Sequence, residues 1–357
     1  MARKKVLVAM SGGVDSSVAA ALLANRGFDC TGAFFITWTE TLPGVSVCPW
    51  EQDVFDARQV CNRLGIPLYT FNFEREYKQR VIEYFFREYQ GGRTPNPDIM
   101  CNREIKFNLF LKKARALGFE YIATGHYARV KKIQRGYALH KGKDTNKDQS
   151  YFLYTLQQQQ LQQTLFPIGG LVKPKVRQLA KKFKLPNAEK KDSQGICFLG
   201  KVKLRDFLKT RIPVQVGKIV DAGGKILGEH EGTAFYTIGQ RHGLKIGGAG
   251  EPYYVVAKDT ATNTVVVSNG HAMNDFSVTH IKIGQISWVD KIPRFPLHVK
   301  VKIRYRQPDQ AAELRLDSTG RLSVNFRVPQ RAATPGQSAV FYQGTQLLGG
   351  GVIDQIG

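Results

Sequence analysis

The chain has 357 residues, of which 42% are hydrophobic, so two or three domains with apolar cores are expected and a disordered chain is excluded. Its 52 Lys and Arg outnumber its 29 Asp and Glu, and the resulting net charge of +23 is typical of a protein that binds a polyanion such as nucleic acid. No apolar run is long enough to span a bilayer and no signal or transit peptide precedes the first strand, so we expect a cytoplasmic protein that contacts no membrane.

Strands and helices alternate through the first half of the chain. The predicted strands are 4–10, 30–36, 66–73 and 121–127, and the predicted helices are 16–26, 51–65, 74–90 and 103–117. Strands separated by helices of this length form parallel sheets covered on both faces. The pattern therefore predicts an α/β domain, which short helices at 148–208 extend.

Beyond about residue 210, short alternating runs replace the helical pattern and predict small antiparallel barrels or sandwiches. The runs are AFYTIG, YYVVAK, TVVVSN, LHVKVKIRY, RLSVNFRV and SAVFYQG. We therefore predict domains at 1–208, 209–277 and 278–357. Near 298–306, period two would place four cations on one strand face, which indicates either a phosphate-binding stripe or a solvated strand. They are Lys300, Lys302, Arg304 and Arg306.

The loop SGGVDSS, at 11–17, lies between a predicted strand and a predicted helix. Its glycines allow the backbone to approach phosphate oxygens, and the helix N-terminus offers unpaired N–H groups. It lacks the lysine of GxxxxGK[ST] and the spacing of GxGxxG. The loop resembles the SGGxDS loop of the PP-loop ATP pyrophosphatases, which have an adenine nucleotide hydrolase-like fold. That resemblance implies cleavage of ATP between the α and β phosphates, with magnesium expected and Asp15 a weak candidate for its ligand.

The five cysteines include no CxxC pair, which argues against a disulfide framework, a zinc knuckle and a metal cluster. Cys30 and Cys61 are predicted to be structural, and Cys48 has no assignment. Cys101, just before a predicted helix start at Asn102, and Cys197 both lie in polar loops with cations nearby. We predict accessible thiols of low pKa, although a buried, inert cysteine is the alternative.

Longer motifs make a family resemblance specific. SGGVDSS, GGRTPNPDIMCNREIKF, IATGHYAR, KDQSYFL, DSQGICF, TIGQRHGL, KIRYRQ and ATPGQSAVFY resemble the tRNA-specific 2-thiouridylases over nearly the whole chain. The resemblance implies a PP-loop domain followed by two small β domains. It implies thiolation of the wobble uridine of tRNAs for Lys, Glu and Gln, with ATP, tRNA and a persulfide donor as partners. The donor would be a cysteine desulfurase or a sulfur-relay protein.

The resemblance also implies roles for single residues. Cys101 would be the nucleophile, Cys197 would carry the persulfide, and Asp98 is a candidate general base. ATP would contact Ala9, Met10, Ser11, Gly12, Gly13, Val14, Asp15, Ser16, Phe35 and Gly125. The tRNA would contact Asn96, Pro97, Asp98, His126, Lys147, Asp148, Gln149, Arg304, Tyr305 and Gln337. By pattern alone, His126 is more typical of a structural residue, and 147–149 of a helix start capped by Asp148.

Thiolation needs this combination because the C2 carbonyl of uridine is a poor electrophile and its oxygen a poor leaving group. Adenylation converts the oxygen into an AMP ester, and a persulfide on Cys197 supplies sulfur. The persulfide attacks C2 directly, or Cys101 first releases sulfide from it. Either order closes a Cys101–Cys197 disulfide that a reductant must reopen.

Other functions are compatible with parts of the sequence. A PP-loop synthetase acting on a small molecule, such as an argininosuccinate synthetase, needs the SGGVDSS loop but not the cysteine loops. A nucleotide-regulated RNA-binding protein without catalysis leaves Cys101 and Cys197 without a role. A metal-cluster thiolase requires clustered cysteines that the sequence does not have.

Overall fold

The computed structural model describes residues 3–39, 49–192, 203–246, 251–270 and 276–357. It contains a five-stranded parallel sheet, a four-stranded mixed sheet and an eight-stranded sheet. The predicted class, a parallel-sheet α/β domain followed by two small β-rich domains, is confirmed. Within the described ranges, no helix has the length and apolar character needed to cross a membrane.

The parallel sheet is the centre of the N-terminal half. The strands of this half are β1 Lys5–Ala9, β2 Asp29–Ile36, β3 Leu68–Asn72, β4 Tyr121–Ala123, β5 Ala128–Ile133, β6 Gly136–Lys141 and β7 Thr164–Leu165. The sheet order is β3-β2-β1-β4-β7, and every pair is parallel. Val6, Leu7 and Val8 are fully buried because helices cover both faces of β1, which explains the uninterrupted apolar run.

The helices of the chain are α1 Val14–Asn25, α2 Pro49–Leu64, α3 Glu74–Tyr77, α4 Glu83–Gln90, α5 Pro97–Cys101, α6 Phe110–Ala116, α7 Gln158–Leu161, α8 Lys173–Lys182 and α9 Leu204–Lys209. Two π-helical stretches, Lys78–Ile82 and Asn102–Leu109, join α3 to α4 and α5 to α6. Helices α1, α2 and α8 contribute to one core on the sheet, and the aromatic-rich segment from α3 to α6 contributes to another.

The two C-terminal sheets are built from short strands. The mixed sheet contains β8 Gly217–Val220, β9 Ile226–His230, β10 Tyr253–Asp259 and β11 Thr264–Asn269, with β8 and β11 parallel. The remaining strands are β12 Val278–Trp288, β13 Leu297–Lys302, β14 Gln310–Leu316, β15 Leu322–Gln330, β16 Ser338–Gln343 and β17 Gln346–Ile356. The AFYTIG run was wrongly predicted as a strand. Its start forms the 3-10 turn Thr233–Phe235. Gly232, just before this turn, and Gly239, at the end of the run, have positive φ angles of 136° and 86°.

Strands β12 to β17 form a closed antiparallel barrel, because β12 pairs with both β15 and β17. The first residues of β17 also pair with β6, so the β5–β6 hairpin extends the sheet of the barrel although it follows β4 directly in the chain. One hydrophobic cluster includes residues of all three sheets, and Phe207 of α9 packs on Phe85 and Phe86 of α4. The three parts of the chain therefore share a core.

Candidate active site

The strands β1 and β4 are neighbours at the point where the sheet order reverses, which is where open α/β sheets bind ligands. Their carboxyl ends lead into the loops at 10–13 and 124–127. Gly125 lies against the first turn of α1, and a Cβ there would be 2.7 Å from the Ser16 amide nitrogen. The fold thus brings together the SGGVDSS loop and Gly125, as the ATP-site hypothesis requires.

The SGGVDSS loop keeps a compact turn ahead of α1. Gly12 has a φ of +71°, and a Cβ there would lie 2.3 Å from the Asp53 carbonyl oxygen. Ser16 and Ser17 hydroxyls donate to the Gly13 carbonyl at 3.0 and 2.9 Å, and the Oγ atoms of Ser11 and Ser16 are 3.2 Å apart. Gly13 caps α1 without a side-chain hydrogen bond. This helix N-terminus, with hydroxyls beside it, fits a phosphate group.

An ion network that the sequence did not predict surrounds this loop. The Lys173 ammonium donates to both carboxylate oxygens of Asp15, at 2.8 and 2.9 Å, and lies 2.7 Å from a carboxylate oxygen of Asp192. Asp192 also pairs with Lys147 and Arg177, at 2.7 and 2.8 Å. We name these five residues the mouth network. It places two carboxylates and three cations beside the phosphate loop.

The charge state of the mouth network follows from its bonds. Partial burial alone would raise the pKa of Asp192, but hydrogen bonds from Lys147 and Lys173 lower it to about 2. Burial, followed by the Asp15 charge, raises the pKa of Tyr127, whose hydroxyl donates to Asp15 at 2.8 Å. Asp192 therefore stays ionised at neutral pH. It directly precedes 193–202, and Cys197 and Cys48 lie outside the described residues.

The predicted adenine-side residue, Phe35, lies near the carboxyl end of β2, next to β1. Its ring centroid is 4.6 Å from that of Phe110 and 5.4 Å from that of Phe73. Phe35 is only partly buried. Met10 is buried and its amide donates to the Ala33 carbonyl at 2.8 Å, so it fixes the start of the loop to β2.

His126 lies beside the phosphate loop, one residue after Gly125. Its Nδ1 is 2.7 Å from the Thr124 hydroxyl, and its ring is 5.7 and 6.0 Å from the rings of Phe107 and Phe166. Burial, followed by the charge of Lys106, lowers the pKa of His126 well below its usual value. The imidazole is therefore neutral at physiological pH and presents a flat ring rather than a charge.

The helix that carries Cys101 begins earlier than predicted. The Asn96 side chain accepts a hydrogen bond from the Ile99 amide at 3.3 Å, and Pro97 takes the first helical position, so α5 starts at 97 and not near 103. Cys101 lies inside the helix and only 3% of it is exposed, so the prediction of an accessible thiol is wrong for this conformation. Asp98 lies three residues earlier and is partly exposed.

The loop before α5 is held by the C-terminal barrel. The Thr94 amide donates to the Pro335 carbonyl at 2.9 Å, and the Gln337 side-chain amide donates to the Thr94 and Pro95 carbonyls at 2.9 and 3.3 Å. Gly336, with a φ of +92°, lies so close that a Cβ would be 2.8 Å from the Thr94 nitrogen. We name these contacts the loop clasp. The amide of Gln337 is thus engaged inside the protein.

The 147–149 segment is divided between the site and the protein interior. Lys147 is part of the mouth network, whereas Asp148 is 4% exposed and accepts from the Gly142 and Ser150 amides at 2.9 and 3.1 Å. The Gln149 side chain accepts from the Tyr127 amide at 2.9 Å. Of these three predicted tRNA contacts, Lys147 is the residue placed beside the phosphate loop, and Asp148 lies below the surface.

The predicted four-cation strand face is wrong. Strand β13 ends at Lys302, which is 9% exposed and lies within 4.0 Å of carboxylate oxygens of Asp148 and Asp309. These aspartates come from distant parts of the chain, so period two alone did not reveal them. Beyond the strand, the Arg304 guanidinium donates to the Ala332 carbonyl at 2.6 Å, and the Tyr305 ring lies 4.6 Å from that of Phe152. Both residues are placed on the side of the barrel that carries the loop clasp.

Within the described residues, no group of three or more His, Cys, Asp or Glu is arranged to hold a metal ion. Asp15, the weak magnesium candidate, is already bound by Lys173 and Tyr127. These bonds occupy most of the acceptor positions of the Asp15 carboxylate.

Three family models match successive parts of the chain. Family models described as a tRNA methyl transferase HUP domain, a tRNA methyl transferase PRC-barrel domain and an aminomethyltransferase beta-barrel domain match residues 4–201, 205–269 and 278–353. Among solved structures, a 4-thiouridine synthetase–RNA complex with bound ATP is similar over 56% of this chain and 46% of that chain, at 19% identity and a TM-score of 0.37. This likeness is too weak to carry an argument.

Curated relatives match over nearly their whole length. The tRNA-specific 2-thiouridylase MnmA of Geobacillus thermodenitrificans (strain NG80-2) is 48% identical over 99% of this chain and 95% of the relative. The protein of the same name from Photorhabdus laumondii subsp. laumondii is 49% identical over 99% of this chain and 98% of the relative.

Proposed function

The chain belongs to the tRNA-specific 2-thiouridylase family, as its motifs predicted, and we propose that it is an ATP-dependent tRNA sulfurtransferase. Its target would be the C2 oxygen of the wobble uridine in tRNAs for Lys, Glu and Gln. We propose catalysis in 1–208, with 209–277 and 278–357 as β domains that help to hold the RNA. Because the reaction needs tRNA, ATP and reduced thiols, we place it in the cytoplasm.

ATP is a substrate in this proposal, and the phosphate loop would bind it. The amides at the start of α1 and the Ser11 hydroxyl would supply donors for phosphate oxygens. Phe35 and Gly125 would border the rest of the nucleotide. The uridine C2 oxygen attacks the α-phosphorus, the bond to the β-phosphate oxygen breaks, and pyrophosphate leaves. Magnesium would lower the charge repulsion between the phosphates in this step.

Sulfur transfer would use both cysteines of the loops. The donor leaves a persulfide on Cys197. The terminal sulfur of the persulfide attacks C2 directly, or Cys101 first releases it as sulfide, which then attacks C2. AMP leaves with the former carbonyl oxygen. In both orders Cys101 attacks the Cys197 sulfur, so that a disulfide forms. Both orders release one 2-thiouridine per disulfide, and an external dithiol reduces the enzyme for the next turnover.

One observation carries the proposal, which is that Lys173 bridges Asp15 of the phosphate loop and Asp192. Asp192 is five residues before Cys197, and five residues of extended chain reach at most about 18 Å. The motif assigned to the sulfur carrier thus follows closely in sequence on a residue that is bound to the phosphate loop. This supports a reaction in which activation and sulfur transfer act on the same base.

Cys101 must become exposed to react, because it is buried in the described conformation. The helix changes to a π-helical stretch at Asn102, immediately after Cys101, and such stretches are frequent at functional sites. Asp98 lies three residues earlier, so it shares a helix face with Cys101 and is placed to accept its proton. We propose that tRNA binding at Asn96 and Pro97 uncovers the thiol.

The tRNA would lie across the mouth network and the loop clasp. Lys147, Arg304 and Tyr305 would contact the RNA there, and the neutral ring of His126 is suited to stack on a flipped base. The net charge of +23 supports binding to an RNA backbone. The proposed sulfur donor is a persulfide-bearing protein, either a cysteine desulfurase or a relay protein.

The test is sulfur incorporation into an unmodified tRNA transcript with ATP and a persulfide donor. We expect wild type to form 2-thiouridine, and Cys101→Ser and Cys197→Ser to lose it while still binding ATP and tRNA. Cys61→Ser is the matched control, because Cys61 is a buried core residue of α2 and lies in neither cysteine loop. ATP consumption by wild type without tRNA and without sulfur transfer would instead favour a small-molecule synthetase.

A further inference from the structure

The β5–β6 hairpin ends the eight-stranded sheet, and β5 is its edge strand. The hairpin is anchored in the core mainly by its inner strand, β6. Ala138 and Leu139 are buried, and Tyr137 packs against the core together with Val130 of β5. The outer strand and the turn remain open to solvent, with Lys131, Lys132 and Arg135 all exposed. The inner strand of the hairpin is thus anchored in the core, while the outer part of the hairpin is exposed to solvent.

This outer edge is strongly positive. Residues 128–143 contain no Asp or Glu, whereas Arg129, Lys131, Lys132 and Arg135 lie on the strand and turn. Within the described residues, none of these four side chains forms an ion pair. We name them the hairpin cations. Burial, followed by the charges of Lys131 and Arg129, lowers the pKa of His140, which lies opposite Arg129 across the hairpin. Lys141, at the end of β6, pairs with Asp309, and the Arg129 Nε donates to the Lys141 carbonyl at 2.8 Å, so the four hairpin cations keep their charge without a carboxylate partner in the described part of the chain.

The β8–β9 hairpin of the mixed sheet provides a contrast. Residues 217–230 carry Lys218 and Lys225, both exposed, but also Asp221 and Glu229. Its formal charge without His is therefore zero, while that of 128–141 is +5, from three lysines and two arginines. The charge of the β5–β6 hairpin is a local feature and does not only reflect a basic composition.

The hairpin cations extend outward from the candidate active site. Strand β5 begins two residues after His126, and the five steps from 128 to 133 span roughly 17 Å. A base held at His126 would bring the backbone of its neighbouring nucleotides toward this strand. The spacing fits contacts to the backbone of the same RNA whose base is modified.

We propose that the hairpin cations bind the sugar–phosphate backbone of the tRNA substrate, an inference that rests on the proposed function. A protein partner fits less well, because Ile133 is the only exposed large hydrophobic residue within 128–141, a range that the structure describes in full, and stable protein interfaces need an apolar centre. Protection of a free sheet edge by lysines is the other use of such residues. Both alternatives are outcomes of the test.

The experiment measures the Kd of the full-length protein for an unmodified tRNA transcript between 50 and 300 mM KCl, values that we choose to span roughly the range of strong salt dependence. It compares wild type with Lys131→Ala/Lys132→Ala and with the matched control Lys218→Ala/Lys225→Ala. Each phosphate contact contributes roughly 0.7–0.9 to the slope of log K against log salt. We expect the hairpin variant to lose about 1.4–1.8 from this slope and to bind on the order of tenfold more weakly near 0.1 M salt. The control should match wild type.

Equal slopes for both variants and wild type would overturn the inference, and aggregation of the hairpin variant with unchanged Kd would assign the lysines to edge protection. Unchanged Kd with loss of sulfur transfer only when a donor protein supplies the sulfur would assign the hairpin to that protein. Absence of any tRNA binding by wild type would instead contradict the proposed function, so the two failures are distinguishable.

Discussion

Two ion networks of this protein have similar components but different attachments. In the mouth network, Asp15 and Asp192 are held by side chains: Lys173, Lys147, Arg177 and the Tyr127 hydroxyl. At the junction of the β5–β6 hairpin and the barrel, Lys141 pairs with Asp309 at 2.5 Å and lies 4.2 Å from the Tyr342 ring. There Asp148 is bonded to two backbone amides.

The difference shows which network can exchange partners. Side chains in the mouth network can rotate toward an incoming phosphate without moving the backbone. The junction network, by contrast, joins Lys141 of the hairpin and Lys302 of the barrel through Asp309, so its loss would remove a side-chain link between these two parts of the fold. The first network should therefore govern activity and the second should govern stability.

The largest effect is expected for Lys173→Met. The change leaves Asp15 and Asp192 without their shared cation beside the phosphate loop, so two carboxylates would repel ATP. We expect pyrophosphate release and thiolation to fall by on the order of 10²–10³, with little change in Tm. The control is Lys181→Met on the same helix, where Lys181 pairs with Glu189 at the exposed surface. Equal activity of both variants would contradict the distinction between the networks.

A smaller effect, on stability, is expected for Asp309→Asn. Lys141 would lose its partner and Lys302 would keep only Asp148, so two largely buried ammonium groups become poorly paired. We expect a loss of about 2–3 kcal/mol in thermal or urea unfolding, with ATP binding unchanged. Glu313→Gln, which removes the exposed Arg315 pair, should leave the free energy of unfolding almost unchanged, because water screens that pair. Similar losses of unfolding free energy for both variants would show that the junction network stabilises the fold no more than an exposed ion pair does.

The smallest effect is expected for Lys258, a partly buried lysine that differs from those of both networks because it has no carboxylate partner among the described residues. The Lys258 ammonium donates to the Tyr236 carbonyl at 2.8 Å, and burial lowers its pKa to about 8. In the unfolded chain it would titrate near its usual value of about 10.4, so the unfolded state binds more protons between pH 8 and 10. The stability of wild type relative to Lys258→Met should therefore increase by about 1–2 kcal/mol over that range. A constant difference in unfolding free energy between the two proteins would contradict this.

The sequence predicted the parallel sheet well because β1 and β2 are buried on both faces, so continuous apolar runs mark them. It also carried a signal that our prediction missed. Asn96-Pro97 is a helix cap followed by proline at the first helical position, which places the helix start before Cys101. We predicted instead that the helix begins after the cysteine, at Asn102.

Other features depend on contacts between distant residues, which periodicity does not encode. Lys302 turns inward because Asp148 and Asp309 lie behind it, and Lys173 belongs to the site only because α8 packs against α1. The β5–β6 hairpin has the pattern of a local hairpin, yet its sheet partner is β17, more than 200 residues later. The assignment of Cys197 remains a prediction from its motif.

The loop clasp has a consequence for the synthesis of this protein on the ribosome. The loop that carries Asn96 and leads to Cys101 is complete early, but its partners are Pro335 and Gln337, and Arg93 pairs with Asp354. A nascent chain that has released only its parallel sheet therefore has the SGGVDSS loop, but its 93–96 loop lacks the contacts of the loop clasp. Contacts over such sequence separations form late, so the activity should appear only after nearly the last residue has left the exit tunnel.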